Sequence, residues 1–229
     1  MLGISSSASL PVTTSYLKLD PHDLKFGVIS MPEKIFDVRL GPMVAAFLFL
    51  SAVAHFLLAL PLRKWYEANL GKWMNPLRWY EYALSSSLMI WVIAMLCGVY
   101  DLWLLICLFI LCAVMNLMGL MMEIHNQMTD RTSWVSFIIG CLAGVVPWVV
   151  IIAYFAGAAR TLGVTIPAFV YGIVISILFT FNVFAINMVL QYKRVGKWKQ
   201  YLYGEKVYMV LSLVAKSALA WQMFSGTLR

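Results

Sequence analysis

The chain has 229 residues, 62% of them hydrophobic and 12% charged, with a formal net charge of +7. A mean hydropathy of +0.85 is more apolar than a soluble domain of this length requires, so the chain reads as a polytopic membrane protein. The positive charge does not point to nucleic acid as a partner. The basic residues lie in short loops between apolar stretches, where membrane orientation accounts for them.

Residues 1–39 are mixed in character and form a segment distinct from the membrane region, 40–229. Ser9-Leu-Pro-Val-Thr-Thr-Ser-Tyr-Leu17 alternates loosely and suits a short strand or hairpin arm. Asp20-Pro21-His22-Asp23 reads as a turn. Six apolar spans follow. The first runs from about Leu40 to Leu62, and the second from Pro76, a residue suited to a first helical position, to about Val99. Tyr100-Asp101 makes a tight turn into a third span, Leu102 to Met122. The fourth covers Trp134 to Gly157, with Pro147 placed to kink it. The fifth runs from about Pro167 to Tyr192, and the last from near Glu205 to near Phe224. Cys97, Cys107, Cys112 and Cys141 all fall inside or beside apolar segments and read as small packing residues.

Charge asymmetry orients the spans. Loops 63–78, 123–133 and 193–206 carry Arg63, Lys64, Lys72, Arg78, Arg131, Lys193, Arg194, Lys197, Lys199 and Lys206. The positive-inside rule places these loops in the cytoplasm, with the C-terminus outside. The loops on the other side carry Arg160, while Lys18, Lys25, Lys34 and Arg39 fall in the N-terminal segment and Arg229 ends the chain.

Lys216 sits near the middle of the last span, roughly ten residues or 15 Å from either end. An ammonium at that depth costs about 2.5–3.5 kcal/mol on insertion scales, and such residues are functional by default. An amine in an apolar pocket is suited to condensing with an aldehyde to give a Schiff base. The competing account, a lysine that snorkels to the headgroups, asks its side chain to cover most of that depth. A buried protonated Schiff base needs an anion. Glu81 is the carboxylate placed inside a span rather than at its edge, about one and a half turns in from the cytoplasmic end of the second span. Lys216 leans toward that side, because helical side chains tilt toward their own N-terminus. The alternative for Glu81 is a pair with Arg78 at i−3. Ser85 follows Glu81 at i+4, and Glu205, Ser212 and Lys216 share one stripe of the last helix.

Further polar residues lie in the cytoplasmic halves: His55, four after Ser51; Asn116 and Glu123; Asn187 and Gln191. Either they line one hydrated cavity around Lys216 and Glu81 or they make ordinary helix–helix hydrogen bonds. The chain holds nine Trp, eleven Tyr and thirteen Phe. Trp65, Trp73, Trp79, Trp134 and Trp198 fall at expected interfaces. Trp148, Phe179, Phe181, Phe184 and Trp221 lie deeper and are candidates to wall a polyene pocket, each against a simple packing role.

Three blocks resemble the heliorhodopsins: Arg78-Trp-Tyr-Glu-Tyr-Ala-Leu-Ser-Ser-Ser-Leu-Met89, Phe184-Ala-Ile-Asn-Met-Val-Leu-Gln-Tyr-Lys-Arg-Val-Gly-Lys-Trp-Lys199, and Leu211-Ser-Leu-Val-Ala-Lys-Ser-Ala-Leu-Ala-Trp-Gln222. The resemblance runs from about Leu10 to the C-terminus. It implies an all-α, rhodopsin-like bundle in which these six helices correspond to helices 2–7 of a seven-helix fold. Residues 1–39 then correspond to the external loop after helix one, and the first helix is absent. The resemblance also implies all-trans retinal on Lys216, Glu81 as counterion, Ser85 and Ser212 beside the Schiff base, and His55 and Asn75 in a cytoplasmic cavity. Trp148 is the aromatic expected against the chromophore. Homodimerisation is implied by the resemblance alone.

The leading expectation is a retinal photoreceptor of the sensory type, embedded in lipid and signalling slowly to a cytoplasmic partner of unknown identity. The alternative is a light-gated proton channel or light-driven transporter on the same scaffold. A membrane enzyme is the weakest reading, since His22, His55 and His125 stand at unrelated spacings.

Overall fold

The computed structural model describes residues 9–19, 28–129, 131–160 and 166–227. The turn expected at Asp20–Asp23 lies outside them. The chain opens with an antiparallel hairpin, β1 (Ser9–Leu19) against β2 (Val28–Arg39), with a bulge between Val12 and Thr13. The expected arm is therefore one strand of a pair whose second strand carries no clear alternation in sequence. Seven α-helices follow: α1 (Leu40–Ala59), α2 (Arg63–Gly71), α3 (Pro76–Leu96), α4 (Leu102–His125), α5 (Val135–Arg160), α6 (Ala168–Tyr192) and α7 (Tyr201–Thr227), with a 3-10 turn at Gly196–Lys199 before α7. Six of these, all but α2, are long and apolar enough to cross a bilayer.

The helix ends follow local chemistry. Asn75 caps α3 and Pro76 fills its first turn, where a missing N–H costs nothing. Gly98, at φ +96°, takes the left-handed turn just past the end of α3. Asp101 then caps α4 by accepting from Leu104 N at 2.9 Å. Thr13 docks on this turn, donating its backbone N–H to Tyr100 O at 2.8 Å. The hairpin thereby sits over the α3–α4 corner, with Val12 and Thr14 buried.

α2 departs from the sequence reading, in which 63–78 is a loop. It is a nine-residue helix with no buried residue, held in part by an Arg63–Glu67 pair one turn apart at 2.8 Å. Pro147 lies inside a continuous α5.

α3 is the central helix. Two-thirds of its apolar window, 67%, is buried, against 11% for α1. α1 and α4 pack on α3, α5 packs on α4, and α6 packs on α7. The approach of α3 to α4 is close: a side chain at Gly119 would meet the Trp79 ring at 2.3 Å. The large apolar core lies in the half of the bundle nearer the hairpin, around Ile90, Ile93, Leu105, Ile151, Ile173 and Leu219.

Candidate functional site

Mid-helix on α7, Lys216 is 5% exposed and Glu81 on α3 is 9% exposed. Lys216 Nζ donates to Glu81 Oε1 at 2.6 Å and to Ser51 Oγ on α1 at 2.5 Å. The Ser51 hydroxyl donates in turn to Glu81 Oε1 at 2.6 Å. The ammonium also lies 5.2 Å from the centre of the Tyr82 ring, within reach of a cation–π contact. Three helices thus meet at one charge-neutral pair, buried and hydrogen-bonded. Such a pair resists the loss of either partner, because the survivor would be a lone buried ion.

Lys216 lies at the edge of a cavity of about 430 Å³ bounded by α3, α4, α5, α6 and α7. Trp148 and Phe181, edge to face at 5.5 Å, help wall it, as do Phe184 and Ser212. Ser85 also lines it; its hydroxyl is fully buried and has no partner within the protein. Asn116 is on the wall too, donating to Ser86 Oγ at 2.9 Å and to Cys112 O at 2.8 Å. Phe179 and Trp221 do not wall the cavity. They are 70% and 62% exposed, on the outer faces of α6 and α7.

Arg78 is not the partner of Glu81. Its guanidinium binds Glu123 on α4 through Nη2 at 2.5 Å and Glu205 on α7 through Nη1. The i−3 pair is outcompeted by two carboxylates from other helices. Asn75 belongs to this second cluster rather than to the cavity. Its backbone N–H donates to Glu123 Oε2 at 3.0 Å and its side-chain amide to Glu205 Oε2 at 2.9 Å. The cap that begins α3 therefore also bridges α4 and α7. His55 lies in neither group. It is exposed on the outer side of α1, the span least covered by its neighbours. Asn187 and Gln191 join α6 to the start of α7. Asn187 donates to Gly204 O at 3.2 Å and accepts from Trp198 Nε1 at 2.7 Å, and Gln191 donates to Tyr201 O at 3.3 Å. For this pair the helix–helix account describes the bonds.

Ser51 escapes the sequence reading as a site residue. A serine in an apolar span is ordinary, and its one signal is a position one turn before His55 on a helix that must pass beside Lys216.

A buried lysine–carboxylate pair on the wall of a largely apolar cavity, deep in a multi-helix bundle of membrane-spanning length, defines a class: a membrane protein with an internal small-molecule pocket. The chain matches the heliorhodopsin family model over residues 1–228 and belongs to that family. It is accordingly a multi-pass, retinal-binding, light-sensing membrane protein of the photoreceptor type. No curated protein matches the chain in sequence.

The residues present fit retinal. The cavity volume falls in the usual range for small-molecule sites, its wall is aromatic, and it offers an amine with an anion beside it. The unpartnered Ser85 hydroxyl supplies a polar contact that the protein itself leaves open.

Proposed function

We propose that Lys216 carries retinal, in the all-trans form, as a Schiff base with Glu81 as counterion, in a light sensor with a slow photocycle that pumps no ion. One observation carries this reading: Lys216 is the lysine buried in a span among the described residues, it touches the cavity, and it is hydrogen-bonded to Glu81. Bound there, retinal would supply visible absorption and light-driven isomerisation.

The protein's own groups have definable tasks. The free ammonium now uses two donors, one on Ser51 and one on Glu81. After condensation one N–H remains, and the carboxylate is the acceptor that also balances its charge. Ser51 keeps its bond to Glu81 and holds that carboxylate in place. Ser85 and Ser212 line the cavity with hydroxyl-bearing side chains, and Trp148 is part of its aromatic wall. Burial of the pair excludes water, which would hydrolyse the linkage.

The basic loops, including α2 and the 3-10 turn, belong in the cytoplasm, with the end of α7 outside. A tag following residue 229 should be reachable from outside intact cells and one within 193–199 should not; the reverse would overturn this orientation. A cytoplasmic signalling partner and a homodimer belong to the same proposal. The test of the chromophore site is expression with all-trans retinal. The natural chain should gain a visible band and Lys216→Ala should stay colourless; a band of normal strength in Lys216→Ala would end the assignment.

A further inference from the structure

The Arg78 cluster carries one more carboxylate than cation. Arg78 is 5% exposed, and Glu123 and Glu205 are 2% exposed each. Rings close over the guanidinium, Tyr208 at 4.0 Å and Trp79 at 4.5 Å from its carbon. Among the described residues no second cation is bonded to either carboxylate. Tyr201 donates its hydroxyl to Glu123 Oε1 at 3.3 Å, a neutral contact that adds no cation. Arg78 Nε and the Tyr208 hydroxyl bond neither carboxylate.

Helix ends redistribute this charge without cancelling it. Glu205 lies just past the first turn of α7, and both carboxylates touch the cap of α3, where the helix dipole favours an anion. Glu123 lies in the last turn of α4, where the dipole disfavours one. These partial charges oppose each other. A whole uncompensated charge in a dry interior costs more than they return.

We infer that Glu123 and Glu205 share one proton over Arg78, giving the protein a second protonatable site, separate from Glu81, on the cytoplasmic side of Lys216. The cluster then holds one positive and one negative charge, as the Lys216–Glu81 pair does. Asn75 provides a place for the proton. Its side-chain oxygen and nitrogen exchange by a half-turn of the amide. Once turned, Oδ1 accepts from a protonated Glu205 Oε2 along the contact now spanning 2.9 Å. The bond given up is the Asn75 Oδ1 cap to Arg78 N, which at 3.4 Å is the longest in the cluster.

The inference does not depend on retinal, so its failure leaves the chromophore assignment untouched. The experiment is infrared absorption of the protein in phosphatidylcholine nanodiscs at neutral pH, in H2O and in D2O, with and without all-trans retinal. Exposed carboxylates are ionised there, so a deuterium-sensitive protonated-carboxyl stretch reports a buried acid. The expected result is one such band in the natural chain, retained in Glu81→Gln. It should vanish in Glu123→Gln and equally in Glu205→Gln, because either amide leaves a single carboxylate to match Arg78 charge for charge. Absence of the band in the natural chain, its loss in Glu81→Gln, or its persistence in either cluster variant would overturn the inference. Absence of the band in the natural chain overturns the inference even if a variant fails to fold.

Discussion

Two buried ionic groups share the same pair of helices, and they differ in what surrounds them. α3 carries Arg78 and Glu81 one turn apart, while α7 carries Glu205 and Lys216 three turns apart. Each helix offers one of these two charges to one group and the other to the second. The Arg78 group is sealed by rings and bonded to an N-cap, and it fastens α3, α4 and α7. The Lys216 group meets a hydroxyl from α1 on one side and an apolar cavity on the other. Similar chemistry becomes structural where nothing can enter and a candidate site where a ligand has room. A charge in an apolar span is therefore not enough to mark function. The adjoining cavity is what separates the two cases.

The sharpest way to break this contrast is to neutralise one member of each group. Glu81→Gln should have the largest spectroscopic effect. A buried cation without its anion favours the neutral form, so the visible band should be lost toward the near ultraviolet at neutral pH, or shift strongly where chloride substitutes. An unchanged spectrum across pH would transfer the counterion role to another carboxylate. Arg78→Met should do the opposite. The visible band should stay near its natural position while stability falls by about 3–5 kcal/mol, the cost of leaving buried charges unpaired, read as a lowered thermal midpoint. A spectrum shifted as far as that of Glu81→Gln would show that the two groups act as one.

A smaller effect is expected at Ser85. Its hydroxyl has no protein partner, so Ser85→Ala removes no internal bond and should leave stability within about 1 kcal/mol of the natural chain. The visible band should move by less than in Glu81→Gln. A fall in thermal midpoint without retinal would mean that the hydroxyl serves the fold instead of the cavity.

Most of the architecture was legible because lipid imposes a simple code: long apolar runs, basic loops, and isolated charges that stand out against them. Lys216 and Glu81 stood out for this reason, and the structure bonds them to each other. The same code is silent about faces. α5 and α6 are apolar all round, so periodicity could not say that Phe181 turns inward and Phe179 outward. Nor could spacing foretell that Arg78 prefers two distant carboxylates to one a turn away. α2 was missed because its nine residues are short and polar, and β2 because it alternates poorly. Asn75 came from resemblance rather than from a physical signal, His55 stood out as a polar residue in an apolar span, and neither lines the cavity beside Lys216.

The smallest expected effect is on transport, and it extends the comparison from the two groups to the two halves of the bundle. A pump needs polar stations on both sides of the amine, so that a proton leaves through one half and arrives through the other. The half nearer the basic loops holds Glu81, Glu123, Glu205, Asn116, Asn187 and Gln191, all buried. The other half holds the apolar core around Ile90, Ile93, Met95, Leu105 and Ile173, closed at its end by the hairpin on Tyr100. Polar contacts between its helices or along them are sparse and only partly buried, among them Gln222 with Ser176 at 3.2 Å and the Thr180 hydroxyl on Ser176 O at 2.7 Å. None of these three side chains carries a charge, and among the described residues no carboxylate is buried in that half. An apolar layer of this depth is a barrier of several kcal/mol to an ion, so a proton displaced by light should stay on the polar side and return. Unbuffered cells expressing the protein with retinal should therefore show no sustained light-minus-dark pH change, with or without a protonophore. A steady, protonophore-sensitive signal, or a stationary photocurrent under voltage clamp, would mean that the apolar half opens in the light and would favour the channel or transporter instead.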